Sequence, residues 1–220
     1  MASSVREPRL VVNELYLSLQ GESSFTGRPC FFIRLTGCPL RCVWCDTAHA
    51  FHDGERMTVQ SILDRVEKAA CRLVEVTGGE PLAQPGVYDL LDSLLDEGYI
   101  VLLETAGAHD ISRVDPRVHR IVDVKCPGSG EVERNHPAVR GHLTSRDEIK
   151  FVIADRNDYQ WAKTWLNAST LPSGLGVLFS PVHERLPPRD LVAWVLEDGV
   201  DVRVQVQLHK YIWDPLARGV

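Results

Sequence analysis

Apolar residues along this 220-residue chain fall into short runs and helical stripes that alternate with each other. A near-continuous apolar run at 30–36 ends in Gly37, as expected of a strand that is buried on both faces of a sheet. An amphipathic stripe beginning after Thr58 then predicts a helix, with the Thr58 hydroxyl as its N-cap. A strand at 73–76 follows, so the pattern predicts a strand–helix–strand unit.

The same alternation continues along the rest of the chain. A loosely alternating strand or hairpin arm at 10–17 precedes it, and a long polar stretch at 128–145 shows no period. Strands that alternate with helices favour right-handed crossovers and a parallel sheet, either doubly wound or a partial barrel. The pattern predicts strands at 99–103, 121–124, 149–153, 177–179 and 202–208, and helices at 87–95, 158–166 and 188–196.

Three cysteines, Cys38, Cys42 and Cys45, stand directly after the first buried strand. Iron–sulfur clusters are usually held by four Cys thiolates, so three thiolates would leave one iron open to another ligand. A structural zinc site would need a fourth Cys or His, and His49 and His52 are close enough in sequence to supply it. The spacing by itself therefore leaves three alternatives: a cluster, a zinc site, or cysteines that bind no metal.

Composition narrows the class of protein. The chain is 44% hydrophobic, enough for one sizeable core, so we expect a single domain over 1–220. A net charge of -6 argues against a nucleic-acid-binding face, which needs clustered Lys and Arg. We see no signal peptide and no apolar run near the roughly 20 residues that span a bilayer. We therefore expect a cytoplasmic protein with reduced cysteines, small-molecule ligands, and neither nucleic acid nor membrane as partner.

Polar turns follow several of the predicted strands. In parallel α/β folds the carboxyl ends of the strands lie on one edge of the sheet, where ligands bind. We therefore expect one site that gathers the cysteine segment with three further turns, namely Thr77-Gly78-Gly79-Glu80, Glu104-Thr105-Ala106-Gly107 and Lys125-Cys126-Pro127-Gly128.

The three cysteines, with Trp44 before the last one, and the strand ending in Gly-Gly-Glu-Pro resemble the radical S-adenosylmethionine (SAM) superfamily. The resemblance implies that Cys38, Cys42 and Cys45 hold a 4Fe-4S cluster whose open iron binds SAM. Reductive cleavage of SAM would then give a 5'-deoxyadenosyl radical that abstracts a substrate hydrogen, with no further side chain needed as catalyst. By the same match, SAM would be bound by Trp44, Gly78, Gly79, Glu80, Glu104, Lys125, Cys126 and Pro127.

Each of these assignments has a plainer alternative. The glycines let a backbone approach a ligand closely, and Glu80 can accept hydrogen bonds from an ammonium group. The same segment is also an ordinary strand-to-helix turn. Three further alternatives stay open: Trp44 can be read simply as a cover for an apolar edge, Lys125 as a solvated surface charge, and Cys126 as a small buried thiol.

A closer resemblance is to the 7-carboxy-7-deazaguanine synthase family. It implies a pared-down, partial (β/α) barrel with parallel strands, in which an N-terminal arm (1–29) and a C-terminal segment (207–220) pack on the substrate site. The motifs that carry it are Asn13-Glu14, Leu19-Gln20-Gly21-Glu22, Thr26-Gly27-Arg28-Pro29, Phe32-Ile33-Arg34-Leu35, Gly37-Cys38-Pro39-Leu40-Arg41-Cys42, Trp44-Cys45-Asp46-Thr47 and Gln207-Leu208-His209-Lys210.

The family resemblance also implies an activity. Members convert 6-carboxy-5,6,7,8-tetrahydropterin into 7-carboxy-7-deazaguanine with loss of ammonia, toward queuosine and other deazapurines. SAM is regenerated, Mg²⁺ is a further cofactor, and Thr47 matches the magnesium ligand. A homodimer and an electron donor such as flavodoxin are expected partners. For Thr47, a hydroxyl that caps the loop is the alternative.

Arg34 interrupts an apolar strand, and a buried guanidinium needs an anionic partner. A bidentate grip on the pterin carboxylate would supply it, and an internal salt bridge to a Glu is the alternative. Gln20 offers an amide that can read the aminopyrimidinone edge. The predicted substrate-binding residues are Leu19, Gln20, Gly21, Arg34, Thr77, Gln207 and His209.

Two rival functions come from other classes. A radical SAM activase of a glycyl radical enzyme often carries extra cluster cysteines, whereas Cys30 and Cys71 are isolated here. A non-enzymatic binding module stabilised by zinc would use the three clustered cysteines with a His. Metal analysis distinguishes the zinc module from either enzyme.

Overall fold

The computed structural model describes residues 8–168 and 170–220, so residues 1–7 of the expected N-terminal arm lie outside the described residues. Nine strands in this part of the chain form one sheet. In chain order they are β1 (Arg9–Leu19), β2 (Pro29–Leu35), β3 (Glu55–Thr58), β4 (Leu73–Gly78), β5 (Ile100–Thr105), β6 (His119–Asp123), β7 (Glu148–Ile153), β8 (Gly176–Pro181) and β9 (Arg203–Val204).

Most of the helices lie in the crossovers between parallel strands. Two of them, α3 and α6, are single turns. Among the described residues no helix combines the length and the apolar character that crossing a membrane requires. The helices are α1 (Val59–Lys68), α2 (Val87–Asp96), α3 (Val139–His142), α4 (Arg156–Asn167), α5 (Pro188–Asp198) and α6 (His209–Ile212).

The strand order in the sheet is β3-β1-β2-β4-β5-β6-β7-β8-β9. From β2 to β9 neighbouring strands run parallel, whereas β1 is antiparallel to both β2 and β3. The two outer strands of this order, β3 and β9, do not pair, so the sheet curves without closing. The predicted partial barrel is confirmed, with an antiparallel extension at one edge.

The predicted helix α1 forms where its apolar stripe and its predicted cap coincide. The Thr58 hydroxyl accepts a hydrogen bond from Ser61 N at 3.1 Å, which satisfies one of the free N–H groups of the first turn of α1. The stripes of α1 and α2 face the sheet. Their buried residues are Val59, Ile62, Leu63, Val66, Val87, Leu90, Leu91 and Leu94.

The prediction of a strand over 202–208 is wrong beyond its first half. β9 covers Arg203–Val204, and after Gln205 N bonds to Phe179 O at 3.0 Å the chain leaves the sheet. Residues 207–210 instead contact the turn between β1 and β2, and α6 follows. The alternating pattern does not hold the strand because β9 has no neighbour on its outer side among the described residues.

The turn between β1 and β2, residues 20–28 and named here the arm hairpin, covers the end of the sheet where the parallel strands begin. Ser24 N donates to the Glu148 carboxylate at 3.0 and 3.2 Å. The Phe25 ring packs edge-on against His119, with centroids 4.9 Å apart. Glu148 and His119 are the first residues of β7 and β6, so the hairpin closes this end of the curved sheet.

A buried ion pair fixes the connection between β6 and β7. Arg120 and Asp147 are 3% and 2% exposed, and the guanidinium meets the carboxylate through Nε–Oδ1 at 2.8 Å and Nη2–Oδ2 at 2.5 Å. Arg120 also donates to the carbonyls of Ile111 and His142, and Asp147 accepts from Thr144 N. Each buried charge is therefore fully partnered.

We predict that Asp147→Ala lowers the free energy of unfolding by about 3–5 kcal/mol, because it leaves a buried guanidinium uncompensated. Urea titration followed by circular dichroism measures this loss. The matched control is Asp96→Ala, which removes an exposed partner of Arg117 at 3.4 Å and should cost under about 1 kcal/mol. Equal losses in the two variants would contradict the role given to the buried pair.

Candidate functional site

A cavity of about 620 Å³ lies inside the curved sheet and opens at the carboxyl ends of its parallel strands. This volume is in the range of sites that hold small molecules. All four predicted turns contribute to its wall, as do the arm hairpin and the C-terminal segment. The predicted site residues in the wall are Leu19, Gln20, Gly21, Arg34, Cys38, Cys42, Trp44, Cys45, Thr47, Thr77, Gly78, Gly79, Glu104, Lys125, Gln207 and His209.

The segment 38–45, named here the cysteine loop, packs against the polar stretch at 128–145, whose sequence shows no period. Val43 N donates to Ser129 O at 3.0 Å, and Arg41 N donates to Glu131 Oε1 at 2.6 Å. Within the loop, Cys45 N donates to Cys42 O at 3.1 Å. The backbone of the loop is thus held independently of its thiols.

The thiols of Cys38, Cys42 and Cys45 face the same cavity and are partly exposed. Burial raises the pKa of each thiol, that of Cys42 to about 11, and the nearby Lys125 ammonium offsets part of this rise. Within the described residues, no three His, Cys, Asp or Glu side chains are arranged as ligands of a single metal ion. Three thiols around one concave wall, with a cation beside them, fit the ligand set of an iron–sulfur cluster.

Lys125 is a buried cation in this wall. Its Nζ lies 2.8 Å from Asp123 Oδ2, and burial, which alone would lower the pKa of Lys125, is outweighed by Asp123 and Cys42, so that the pKa is raised. Asn135 Oδ1 accepts from the Lys125 backbone N at 2.8 Å. The charge is therefore kept at the cavity, contrary to the alternative of a solvated lysine.

The double glycine after β4 supports the cysteine loop as well as lining the cavity. A Cβ on Gly79 would lie 2.4 Å from Gly37 O and 2.7 Å from Cys38 Cβ, so a side chain there would displace the start of the loop. Gly79 N donates to Leu35 O at 3.1 Å, and Glu80 N to Gly37 O at 2.8 Å. The close approach that the glycines were expected to allow is therefore an approach of the Gly79 backbone to the backbone at Leu35 and Gly37.

Glu80, Cys126 and Pro127 lie outside the cavity wall. Glu80 is fully buried, and its carboxylate accepts from Leu82 N at 2.9 Å, Thr105 Oγ1 at 2.9 Å and Ala106 N at 2.7 Å. It therefore joins the ends of β4 and β5 through internal hydrogen bonds. Cys126 is buried, in agreement with the alternative of a small buried thiol.

Arg34 makes the internal salt bridge to a Glu that was the alternative to a substrate contact. Its Nε donates to Glu14 Oε2 at 2.8 Å, and its Nη2 donates to Tyr16 Oη at 2.7 Å. Burial raises the pKa of Tyr16 to about 12, although Arg34 opposes the rise. Arg34 thus has an internal salt bridge and still lines the cavity.

Charged residues inside β4, β5 and β7 form a network that sequence analysis missed. Lys150 Nζ lies 2.8 Å from Glu22 Oε2 and pairs also with Glu104, while Glu75 accepts a hydrogen bond from the Gln20 amide. The signal was present for two of them, because Glu75 and Lys150 each interrupt an apolar run as Arg34 does, whereas Glu104 follows the end of its run. The run at 149–153, for example, contains Lys150.

Three carboxyl groups and one ammonium share this buried network. The pKa of Glu75 is raised well above its ordinary value by burial, reinforced by Glu104 and Glu22. The pKa of Glu22 is lowered, because Lys150 outweighs the effect of burial. Burial and the two neighbouring carboxylates therefore favour the protonated, neutral form of Glu75.

The Gln20 amide makes hydrogen bonds within the protein. Its Nε2 donates to Glu75 and its Oε1 accepts from Glu22 N at 3.0 Å. These bonds orient the arm hairpin, and Gln20 also lines the cavity.

The C-terminal segment packs on the arm hairpin. Leu208 N donates to Gly21 O at 3.0 Å, and a Cβ on Gly21 would lie 2.3 Å from His209 Nδ1. Burial lowers the pKa of His209. Gly21 therefore allows the imidazole to reach the cavity wall.

Gln207 and Lys210 connect the same segment to the residues after the cysteine loop. Gln207 Nε2 donates to Glu22 Oε1 and to Asp46 Oδ2, both at 3.0 Å. Lys210 Nζ donates to Asp46 Oδ2 at 2.7 Å, and Thr47 Oγ1 donates to Asp46 Oδ1 at 3.0 Å. These contacts outweigh burial and lower the pKa of Asp46.

We predict that Glu75→Gln raises the melting temperature at pH 8. An acid whose pKa is raised in the folded state binds more protons there than when unfolded, so above its ordinary value of 4.5 the wild type loses stability as pH rises. Melting curves from pH 4 to pH 8 should show the advantage of the neutral isostere growing with pH. The exposed Glu97→Gln is the control, and an advantage that does not change with pH would argue against a neutral Glu75.

Comparison with known proteins agrees with these features. A model of the radical SAM superfamily matches residues 32–123. The 7-carboxy-7-deazaguanine synthase of Chlorobaculum tepidum is 46% identical over 217 residues, which cover 97% of this chain and 99% of that protein. The protein of the same name from Koribacter versatilis is 45% identical, with 95% and 99% covered.

The crystal structure of QueE from Escherichia coli has a TM-score of 0.76 to this fold at 26% identity, and the match covers 91% of this chain and 95% of that one. Since two relatives of at least 45% identity span nearly its whole length, the chain belongs to the 7-carboxy-7-deazaguanine synthase family of radical SAM enzymes, which acts in deazapurine biosynthesis.

Proposed function

We propose that this enzyme converts 6-carboxy-5,6,7,8-tetrahydropterin into 7-carboxy-7-deazaguanine with release of ammonia, and that SAM is regenerated. The observation that best supports this is the shared cavity, into which the cysteine loop, Arg34, the arm hairpin and the C-terminal segment all project. Such a cavity has room for a nucleoside cofactor and a bicyclic substrate side by side. Family membership and this arrangement favour neither the activase nor the zinc-stabilised module.

Membership of the radical SAM superfamily implies a 4Fe-4S cluster and SAM. Cys38, Cys42 and Cys45 would hold the cluster, and the two cofactors together supply the radical that removes a substrate hydrogen. In the wall, SAM would be bound by Trp44, Gly78, Gly79, Glu104 and Lys125, while Glu80, Cys126 and Pro127 would support this wall from behind.

Arg34 would bind the pterin carboxylate, since its guanidinium lines the cavity. Thr77, beside Arg34 in the register of β4 against β2, would contact the substrate from the neighbouring strand. Leu19 and Gly21 would present backbone groups, with Gln207 and His209 opposite them on the C-terminal segment. Gln20 would act by holding the arm hairpin.

Mg²⁺ would bind at Thr47. Its hydroxyl lines the cavity, and Mg²⁺ prefers oxygen ligands, keeps several waters and often bridges to a charged substrate. A substrate carboxylate held by Arg34 would be the second ligand.

The remaining expectations are part of the same proposal. The enzyme would work in the cytoplasm as a homodimer, with 1–220 as one radical SAM domain whose arm (1–29) and C-terminal segment (207–220) complete the substrate site. An electron donor such as flavodoxin would reduce the cluster. Neither nucleic acid nor a membrane is proposed as a partner.

We predict that the reconstituted enzyme, given SAM, a reductant and 6-carboxy-5,6,7,8-tetrahydropterin, forms 7-carboxy-7-deazaguanine, and does so faster with Mg²⁺. Chromatography with mass detection measures the product, and omission of SAM is the control. If SAM is cleaved while the pterin is unchanged, the substrate assignment is wrong although the radical chemistry stands.

We predict that Cys42→Ala abolishes cluster binding in a folded chain, because backbone hydrogen bonds seat the cysteine loop. Iron and sulfide analysis after anaerobic reconstitution should give about four of each per wild-type chain and near background in the variant. Circular dichroism checks the fold. Cys71→Ala, buried outside the loop, should keep wild-type iron, and one zinc per wild-type chain would contradict the assignment.

A further inference from the structure

β1 contains one more residue than its partner β2 along their shared register. Val12 pairs with Leu35, but the next pair is Glu14 with Arg34, so Asn13 is an extra residue that forms a β-bulge. A regular register would have placed Asn13 opposite Arg34. The bulge therefore sets a carboxylate directly across from the arginine.

The Glu14 carboxylate has two partners on different segments. Its Oε2 lies 2.8 Å from Arg34 Nε and 3.3 Å from His49 Nε2. The Glu14 and Arg34 side chains are 18% and 17% exposed, so water screens this pair little. Glu14 thus connects the β2 strand to the segment after the cysteine loop.

These contacts decide which edge of the guanidinium a ligand can use. Nε is taken by Glu14 and one Nη2 hydrogen by Tyr16, whose ring also lies under the guanidinium at 5.8 Å. Nη1 has no hydrogen-bond partner in the described part of the chain. The planar group therefore keeps its Nη1–Nη2 edge for a carboxylate.

The same bulge also holds the segment that carries Thr47. His49 lies in a short helical turn, Ala48–Phe51, that follows Thr47 directly. Asn13 Nδ2 donates to His52 O at 3.3 Å, just after that turn. Both residues of the bulge thus fix this turn relative to β1.

We propose that Glu14 is a positioning residue, whose carboxylate sets the plane of Arg34 and its placement relative to Thr47, so that one substrate carboxylate reaches both Arg34 and a Mg²⁺ ion at Thr47. This rests on the proposed function, in which Arg34 binds the substrate carboxylate and Thr47 holds the Mg²⁺. Glu14 does not touch the substrate itself, and it acts through Arg34 and through His49.

The test begins with Glu14→Gln, which keeps the length and an acceptor oxygen but removes the charge. We expect the KM for the carboxytetrahydropterin to rise about tenfold, the size of one weakened charge-assisted hydrogen bond, with the KM for SAM unchanged. Glu14→Asp keeps the charge and should recover part of the loss. Glu67→Gln, exposed on α1 and outside the cavity wall, is the matched control.

A double-mutant cycle separates positioning from general stability. If Glu14 acts through Arg34, adding Glu14→Gln to Arg34→Gln should change substrate KM little further. Additive effects would overturn the proposal, as would a wild-type KM in Glu14→Gln. Melting curves confirm that each variant is folded.

A binding measurement keeps this inference distinct from the reaction. Equilibrium dialysis compares 7-carboxy-7-deazaguanine with 7-deazaguanine, which lacks the carboxylate. Glu14→Gln should weaken binding of the first about tenfold and leave the second unchanged, and equal effects on both would overturn the role. If the wild type binds the carboxylated ligand in this way but does not convert the pterin, the proposed function fails while the role of Glu14 stands.

Discussion

The charges buried inside the parallel sheet are the constraint on which the rest of the structure depends. A buried ion without a partner costs several kcal/mol, so Arg34 and Lys150 must be matched wherever the strands place them. Their partners do not come from the parallel strands alone. Glu14 lies on the antiparallel β1 and Glu22 on the arm hairpin, so pairing the charges brings these two elements against the cavity.

The same pairing closes the site from the opposite side. Gln207 bridges Glu22 and Asp46, and Lys210 adds a second bond to Asp46. The C-terminal segment thereby joins the arm hairpin to the residue that follows the cysteine loop. A substrate in the cavity would thus be surrounded by elements that are 185 residues apart in the chain. These elements are held together by their own charged and polar side chains.

The cysteine loop is held by contacts with segments on both sides of it. Gly79 lets the end of β4 approach Gly37 closely, and Ser129 and Glu131 bind the loop from the other side. The polar stretch at 128–145 therefore acquires a role that its composition does not indicate. This support does not use the three thiols, so they are available as ligands of the 4Fe-4S cluster that the family implies.

The sequence by itself determined the strands other than β3 and the end of β9, the four longer helices, the position of the cysteine loop and the family, because hydrophobic period and motif spacing are local properties. Tertiary structure alone decided that Glu80 and Gln20 make internal hydrogen bonds, that 206–208 leaves the sheet, and that Lys150 lies between Glu22 and Glu104. These outcomes depend on partners far away in the chain, and the cost of burying an unpaired polar group acts only once those partners meet.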